Sequence, residues 1–244
     1  MSDLAQRIFD PIVGLPKQPT PQEVLTHAVD LFGHIAISSS LGPQTVVLID
    51  MLHKLQLDVP VFLLDTGFLF PETLELRERI QQKYGIEIQL IAPDQSVEDQ
   101  EAEFGELYKT DSNACCRKRK VVPLNRALNG LDAWITGLRR DMSKGRSNVE
   151  AIDWDNHHGL WKVNPLADWS REQVFAYIAD NDVPTNPLLE HGFKSIGCWP
   201  CTRAVRPGDD ERSGRWAGQA KDECGIHTGQ FRAQSGPVLA GGGH

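Results

Sequence analysis

With 244 residues, 40% hydrophobic and 24% charged, the chain has an ordinary globular composition and enough length to bury one good core. A formal net charge of -8 argues against a nucleic-acid coat or a membrane-surface protein, while leaving room for a local cationic pocket. No apolar run approaches the ~20 residues that a bilayer span needs, so neither nucleic acid nor membrane is expected as a partner.

"MSDLAQRIFDPIVGL" carries an acid early and no signal-type apolar stretch, so a cytoplasmic location is expected. There thiols stay reduced, and five cysteines point to metal binding or catalysis before structural disulfides. "TPQEVLTHAVDLFG" then sets Val24, Leu25, Ala28, Val29 and Phe32 on one helical stripe that closes at Gly33. "HIAIS" is a short buried-type strand, "SSLGPQ" a polar turn, and "TVVLIDMLHKL" a return to helical spacing. "VPVFLLD" predicts a second strand, "PETLELRERIQQKYG" a helix with proline at its start and glycine at its end, and "IEIQLIAP" a third strand. An acidic helix over Val97 to Leu107, a helix over "CCRKRKVVPLNRAL" and a strand at "AWITGL" follow. Ser170 and Gln173 form a capping box ahead of one more helix.

Strands alternating with helices of this length predict an α/β fold with an open, mostly parallel sheet and helices on both faces. From about Pro184 the pattern gives way to Pro, Gly, Cys and Trp. Two parts are therefore expected: an α/β domain over 1–183 and an irregular segment over 184–244 packed on it, with "AQSGPVLAGGGH" as a mobile tail.

Ligands of open α/β sheets sit beyond the carboxyl ends of the strands. "SSSLGPQT", "DTGFLFPET" and "GLRRDMSKGRS" all fall there. Ser38, Ser39, Ser40 and Gly42 enter a helix, and their hydroxyls and amides could cradle a single phosphate or sulfate or serve as a plain N-cap. Asp65, with Thr66 and Gly67, could take a ribose hydroxyl or cap the next helix. Arg139, Arg140, Lys144 and Arg146 suit bidentate recognition of an oxyanion, against the alternative of a solvated charged face.

Cys115 and Cys116 are adjacent, and Cys198 and Cys201 form a C-x-x-C. Four thiolates suit a tetrahedral zinc or an iron–sulfur cube. Successive helix positions diverge by roughly 100°, so adjacent cysteines wrap one small ion poorly and suit a larger cluster better. A redox pair at Cys198/Cys201 and buried spectator thiols are the alternatives. Cys224, in the polar "KDECGIHTG", is a candidate nucleophile. Asp222 and Glu223 would oppose its ionisation, so Lys221, His227 or other site cations must favour it.

Taken together, "SSSLG", "DTGFLFPET", "CC", "GLRRDMSKGRS", "GCWPCTRAVRPGDDERSGRW" and "ECGIH" resemble the assimilatory adenylyl-sulfate (APS) reductase branch of the phosphosulfate reductase family, in family order from Ser38 to His227. The resemblance implies an adenine-nucleotide alpha hydrolase-like fold, a 4Fe-4S cluster on Cys115, Cys116, Cys198 and Cys201, and Cys224 as nucleophile. It also implies that Lys120, Arg212 and Arg215 lie near the phosphosulfate group, with His227 assisting. The implied reaction turns adenosine 5'-phosphosulfate into sulfite and AMP through an S-sulfocysteine, with thioredoxin or glutaredoxin as dithiol reductant; a homo-oligomer is compatible with it. The serine loop is closer to reductases of the 3'-phosphorylated substrate, PAPS, so a PAPS or dual-substrate enzyme is the alternative. A tRNA-thiolating relative would need Ser-Gly-Gly-x-Asp-Ser in the first loop, an iron–sulfur sensor would have no use for Cys224, and a simple "CWPC" oxidoreductase would ignore the nucleotide.

Overall fold

The computed structural model describes residues 12–219, 221 and 223–227. The expected mobile tail, the N-terminal "MSDLAQRIFDP" and Asp222 lie outside the described residues. The helices are α1 (Pro21–Leu31), α2 (Pro43–Lys54), α3 (Pro71–Tyr84), α4 (Val97–Phe104), α5 (Leu107–Thr110), α6 (Ser112–Cys116), α7 (Val122–Leu128) and α8 (Arg171–Asp180). The strands are β1 (Ile35–Ser39), β2 (Val61–Leu64), β3 (Ile88–Ile91), β4 (Ala133–Ile135), β5 (Ile152–Asp155) and β6 (Leu160–Val163).

The strands form one sheet in the order β3-β2-β1-β4-β6-β5, parallel except for β5, which runs antiparallel to β6. Ile37 stands opposite Val61 on one side and Ile135 on the other. Alternate side chains point to opposite faces of a strand, and here each face is covered. Ile35, Ile37, Val61, Leu63, Ala133, Ile135 and Val163 join α1, α2, α3 and α8 in the larger core. Ala36, Phe62, Leu64, Trp134 and Leu160 turn the other way and pack on Leu124 and Leu128 of α7. β2 is apolar throughout and β1 nearly so up to its serines, because both faces of these central strands are buried.

Local signals place the helix ends. Thr20 and Glu23 close a capping box on α1, and Ser170 and Gln173 do the same on α8. Gly85 ends α3 in the left-handed region at φ 65°, where glycine carries no Cβ penalty. Asp50, buried in α2, accepts hydrogen bonds from Tyr84 Oη (3.1 Å) and Tyr177 Oη (2.7 Å) and pairs with Lys54 (2.7 Å), tying α2 to α3 and α8.

The sequence reading needs three corrections. The acidic helix stops at Phe104 because Gly105 caps it at φ 69°, and α5 restarts at Leu107. The helix expected over 115–128 starts earlier, at Ser112, and is interrupted by a π turn at Arg117–Val121. The β5–β6 hairpin was not foreseen. Among the described residues no helix is long and apolar enough to cross a membrane.

After β1 the chain builds β2 and β3 on one side, then returns to build β4, β6 and β5 on the other. The loops leaving β1 and β4 therefore diverge, and a crevice opens between them. Gly137 forms its floor: a Cβ there would come 2.8 Å from Gln44 Cβ and 3.0 Å from Thr45 Cγ2, so only glycine lets the end of β4 approach α2.

Candidate active site

The crevice continues into a cavity of about 200 Å³. Ser38, Ser39, Ser40, Gly42, Thr66, Lys120, Arg146, Cys198, Arg212, Arg215, Cys224 and His227 line it. Asp65, Gly67, Arg139 and Arg140 are not among its lining residues. Side chains from the sheet ends, from the π turn and from the irregular segment thus meet at one place.

The serine loop is built from within. Ser39 Oγ donates to Thr45 Oγ1 (2.8 Å) and accepts from Leu41 N (2.9 Å), which holds Leu41 at φ 53°. The hydroxyl of Ser39 is therefore occupied by the loop. No side chain caps α2, whose N-cap is Gly42, so the plain N-cap alternative is not realised. The next turn is fixed in a similar way. Asp65 Oδ1 accepts from Gly67 N at 2.9 Å, closing the turn. Gly67 sits at φ 70°, and a Cβ on it would come 2.6 Å from Val97 Cγ2. Thr66 Oγ1 accepts from Phe68 N (3.2 Å) and touches Cys198 Sγ (3.2 Å).

Arg119 braces this turn from below. It is 4% exposed, its Nε donates to Thr66 O, and its Nη1 reaches Gln95 O, Ser96 O and Gln100 Oε1 at 3.4, 3.3 and 3.2 Å. Two arginines of the later basic loop are likewise braces. Arg140 binds Val149 O (2.6 Å), Glu150 (3.0 Å) and Asp168. Arg139 is fully buried against Asp141 (2.8 Å) and Glu211 (3.6 Å). Of the described side chains in that loop, Arg146 is the basic one that reaches the cavity. Its Nη2 donates to Glu223 Oε1 at 2.8 Å.

Asp111 caps α6 by accepting from Asn113 N and Ala114 N, which fixes the turn carrying Cys115 and Cys116. Cys198 precedes and Cys201 ends the turn Trp199–Cys201, which is anchored where Trp199 N donates to Phe68 O at 2.8 Å. All four sulfurs line one narrow space together with Lys120 and Arg119. Burial pushes the Cys115 thiol up to about 12, and the neighbouring Cys116, Cys198 and Cys201 add to the shift. Burial also raises Cys116 and Cys201. Cys198 differs: burial opposes its ionisation, but Lys120, Thr66 and Arg215 more than offset this and hold it below the usual thiol range. Lys120 is the mirror image; burial would lower it, yet Cys198, Cys224 and Cys116 keep it firmly charged. Among the described residues no three His, Cys, Asp or Glu side chains are set to hold a single metal ion.

Cys224 is half-buried, and Lys120, Arg146 and Arg215 each lie close enough to sense its charge. Arg215 lies over Gly197, where a Cβ would come 2.4 Å from its Nη2, and its buried Nε has no hydrogen-bond partner. Lys221, one expected activator of Cys224, instead donates to Ser112 O at 2.8 Å. His227 is held well below its usual pKa by burial, then by Lys162, Arg146, His158 and Arg212. It is neutral near pH 7 and brings no positive charge to the thiol.

Several site residues escaped the sequence reading. His158 Nε2 lies 2.9 Å from Ile226 O and its Nδ1 lies 2.8 Å from Asn125 Oδ1. Trp134 stacks on His227 with ring centroids 5.5 Å apart. Lys162 lies 4.8 Å over the Trp134 ring and pairs with buried Asp155 at 2.6 Å. Together with Glu223, these groups dock the 223–227 segment on the sheet. "WDNHHGLW", a polar turn between two aromatic residues, was the available signal.

The family described as phosphoadenosine phosphosulfate reductase domain matches residues 34–204. The chain is 45% identical over 213 residues to a phosphoadenosine 5'-phosphosulfate reductase of Gloeobacter violaceus, covering 85% of this chain and 88% of that one. It is 42% identical over 210 residues to an adenosine 5'-phosphosulfate reductase of Streptomyces coelicolor, again covering 85% and 88%. Among solved structures, the phosphoadenylyl-sulfate reductase of Candida auris is similar with a TM-score of 0.70 and 30% identity over 84% of this chain and 98% of that one.

Proposed function

The chain belongs to the phosphoadenosine phosphosulfate reductase family, and from that premise we propose that it reduces adenosine 5'-phosphosulfate to sulfite and AMP, with Cys224 as nucleophile. One observation carries the reading: Cys224 shares a single cleft, at the switch point of the sheet, with Lys120, Arg146, Arg212 and Arg215. A thiolate approaching an anionic sulfo group needs such charge neutralisation. The Cys224 thiolate attacks the sulfur, the sulfur–oxygen bond to the phosphate breaks, and AMP leaves with the electron pair. The product on the enzyme is S-sulfocysteine. A dithiol protein, thioredoxin or glutaredoxin, then attacks Cys224 Sγ, sulfite departs, and the second thiol of the carrier restores Cys224 as the carrier becomes a disulfide. The dithiol supplies both electrons. Lys120 and Arg215 are suited to hold the sulfo oxygens and Arg146 and Arg212 the phosphate; neutral His227 is suited to orient the nucleotide.

Cys115, Cys116, Cys198 and Cys201 are the residues that would hold a 4Fe-4S cluster. The donor set fits: four thiols line one space, three of them buried, with Lys120 and Arg119 beside them to offset a negatively charged group. When bound, the cluster supplies structural and electrostatic support beside the substrate. The division into an α/β domain over 1–183 and a capping segment from 184 is consistent with the reach of Arg212, Arg215 and Cys224 back to the sheet ends, and a cytoplasmic location fits the free thiols.

A second reading, reduction of PAPS or of both nucleotides, is favoured by the serine loop and by the Gloeobacter violaceus relative. Anaerobically purified protein should release sulfite from adenosine 5'-phosphosulfate in the presence of thioredoxin, and Cys224→Ser should abolish it. Turnover of PAPS alone would select the second reading. Absence of an SO3 adduct on Cys224, after mixing with either nucleotide and quenching, would remove both.

A further inference from the structure

Two guanidinium groups that line the cleft share one carboxylate. Arg146 Nη2 donates to Glu223 Oε1 at 2.8 Å, and Arg212 Nη2 donates to Glu223 Oε2 at 3.2 Å. The side chains are well enclosed, at 10%, 14% and 16% exposure for Arg146, Arg212 and Glu223. Two enclosed cations side by side are costly, and Glu223 bridges both and offsets part of that cost. A carboxylate presents a guanidinium with the same charge sign and the same paired oxygens as a phosphate or sulfo group. Glu223 therefore occupies the kind of position that an anionic ligand of this cleft would take, and it is the residue immediately before Cys224.

We propose that Glu223 is a positioning and specificity-determining residue: its carboxylate stands in for the ligand's anion between Arg146 and Arg212 until a nucleotide with two anionic groups displaces it. This rests on reading the cleft as a phosphosulfate-nucleotide site. Because Glu223 is tethered, its effective concentration at the pair is on the order of millimolar or above. A free inorganic anion competes poorly with it, whereas a nucleotide brings a second anionic group and adenosine contacts as well. Selectivity is then a difference between two affinities, set partly by what the empty site holds against the wrong ligand. The same clamp seats Cys224 in the cleft before the nucleotide arrives.

The test is equilibrium binding of inorganic sulfate and of AMP to the full-length, cluster-loaded protein in a Cys224→Ser background. Glu223→Gln should tighten sulfate binding by about tenfold, because a tethered competitor has been removed. Glu223→Asp, which keeps the charge, should bind sulfate as the parent does. Glu75→Gln, which removes one exposed acid on α3 that does not line the cleft, should change nothing. Glu223→Ala should shift affinity in the same direction as the glutamine variant, so either soluble variant decides the matter. Unchanged or weaker sulfate binding in both neutral variants overturns the proposal. The functional reading fails separately: if sulfate tightens as expected but no nucleotide yields sulfite, the stand-in carboxylate survives and the reductase does not.

Discussion

Two basic stretches, Arg117 to Lys120 and Arg139 to Arg146, look alike in sequence and behave differently in the fold. In the first, Arg119 is held by neutral carbonyl and amide oxygens, Lys120 faces sulfur, and Arg117 is exposed. Among the described residues no carboxylate forms an ion pair with this stretch. In the second, Arg139 and Arg140 are matched by Asp141, Glu211, Glu150 and Asp168, and even Arg146 has Glu223. Charge count therefore misleads about field. The first stretch keeps its net positive charge beside the thiols, and the second spends most of its charge on holding loops together. A cation's use is decided by which oxygens fold against it, and many of those come from distant parts of the chain.

Breaking the contrast should produce effects of graded size. Lys120→Ala should cost the most, lowering kcat/KM about a hundredfold or more with sulfite release as the readout, because an enclosed cation facing developing negative charge is lost. Arg117→Ala, one turn away and exposed, should leave it unchanged. Arg119→Ala tests the brace. It strips Thr66 O and Gln100 Oε1 of a buried donor and should cost about 2–4 kcal/mol of stability, read by urea unfolding.

Acidification gives a smaller, graded effect at the docked 223–227 segment. His227 has a folded-state pKa depressed below the unfolded value of 6.5, chiefly by burial, so the unfolded or undocked form binds the extra proton. Its contribution to docking is complete above about pH 6.5 and fades as pH falls below that value towards the folded pKa. Hydrogen exchange at Gly225 and Ile226 should quicken as pH falls below that value, after correction for intrinsic rates, and His227→Gln should flatten the pH dependence. Arg140→Ala should matter least: its ion pairs with Glu150 and Asp168 are half exposed, so about 1 kcal/mol of stability is expected with KM unchanged. A large rise in KM there would mean that Arg140 joins Arg146 in recognising substrate.

The sequence made the regular body legible. Apolar runs at Ile35, Val61 and Ile88, the Ser170–Gln173 capping box and the Pro71-to-Gly85 helix were read from local patterns that tertiary contacts did not override. The hairpin of β5 and β6 was not, because "IDWD" and "LWKV" are four residues each and carry charges that find partners only across the pair. In the site, the cysteine pairs and Arg146 stood out by residue type and position, whereas Lys120, Arg212 and Arg215 were singled out only through the family resemblance. Arg139 and Arg140 were not separable from Arg146, since the distinction lies in Asp168 and Glu211, which are 28 or more positions away. His158 and Trp134 were missed for the same reason, as their partners Ile226 and His227 are 68 and more residues on.

The π turn at Arg117–Val121 is equivalent to one residue inserted into an otherwise α-helical run. An insertion accommodated as a bulge leaves the flanking turns in phase, so Cys115 and Cys116 upstream and Leu124 and Leu128 downstream keep the orientations that an uninterrupted helix would give them. The surplus position widens the circumference locally, which lets Arg119 and Lys120 both turn inward where a tighter coil would send one of them to solvent. A shortened chain lacking one of these five residues would still have a path to the same sheet and helices, but it would have to give up either the strut under Thr66 or the ammonium beside the sulfurs.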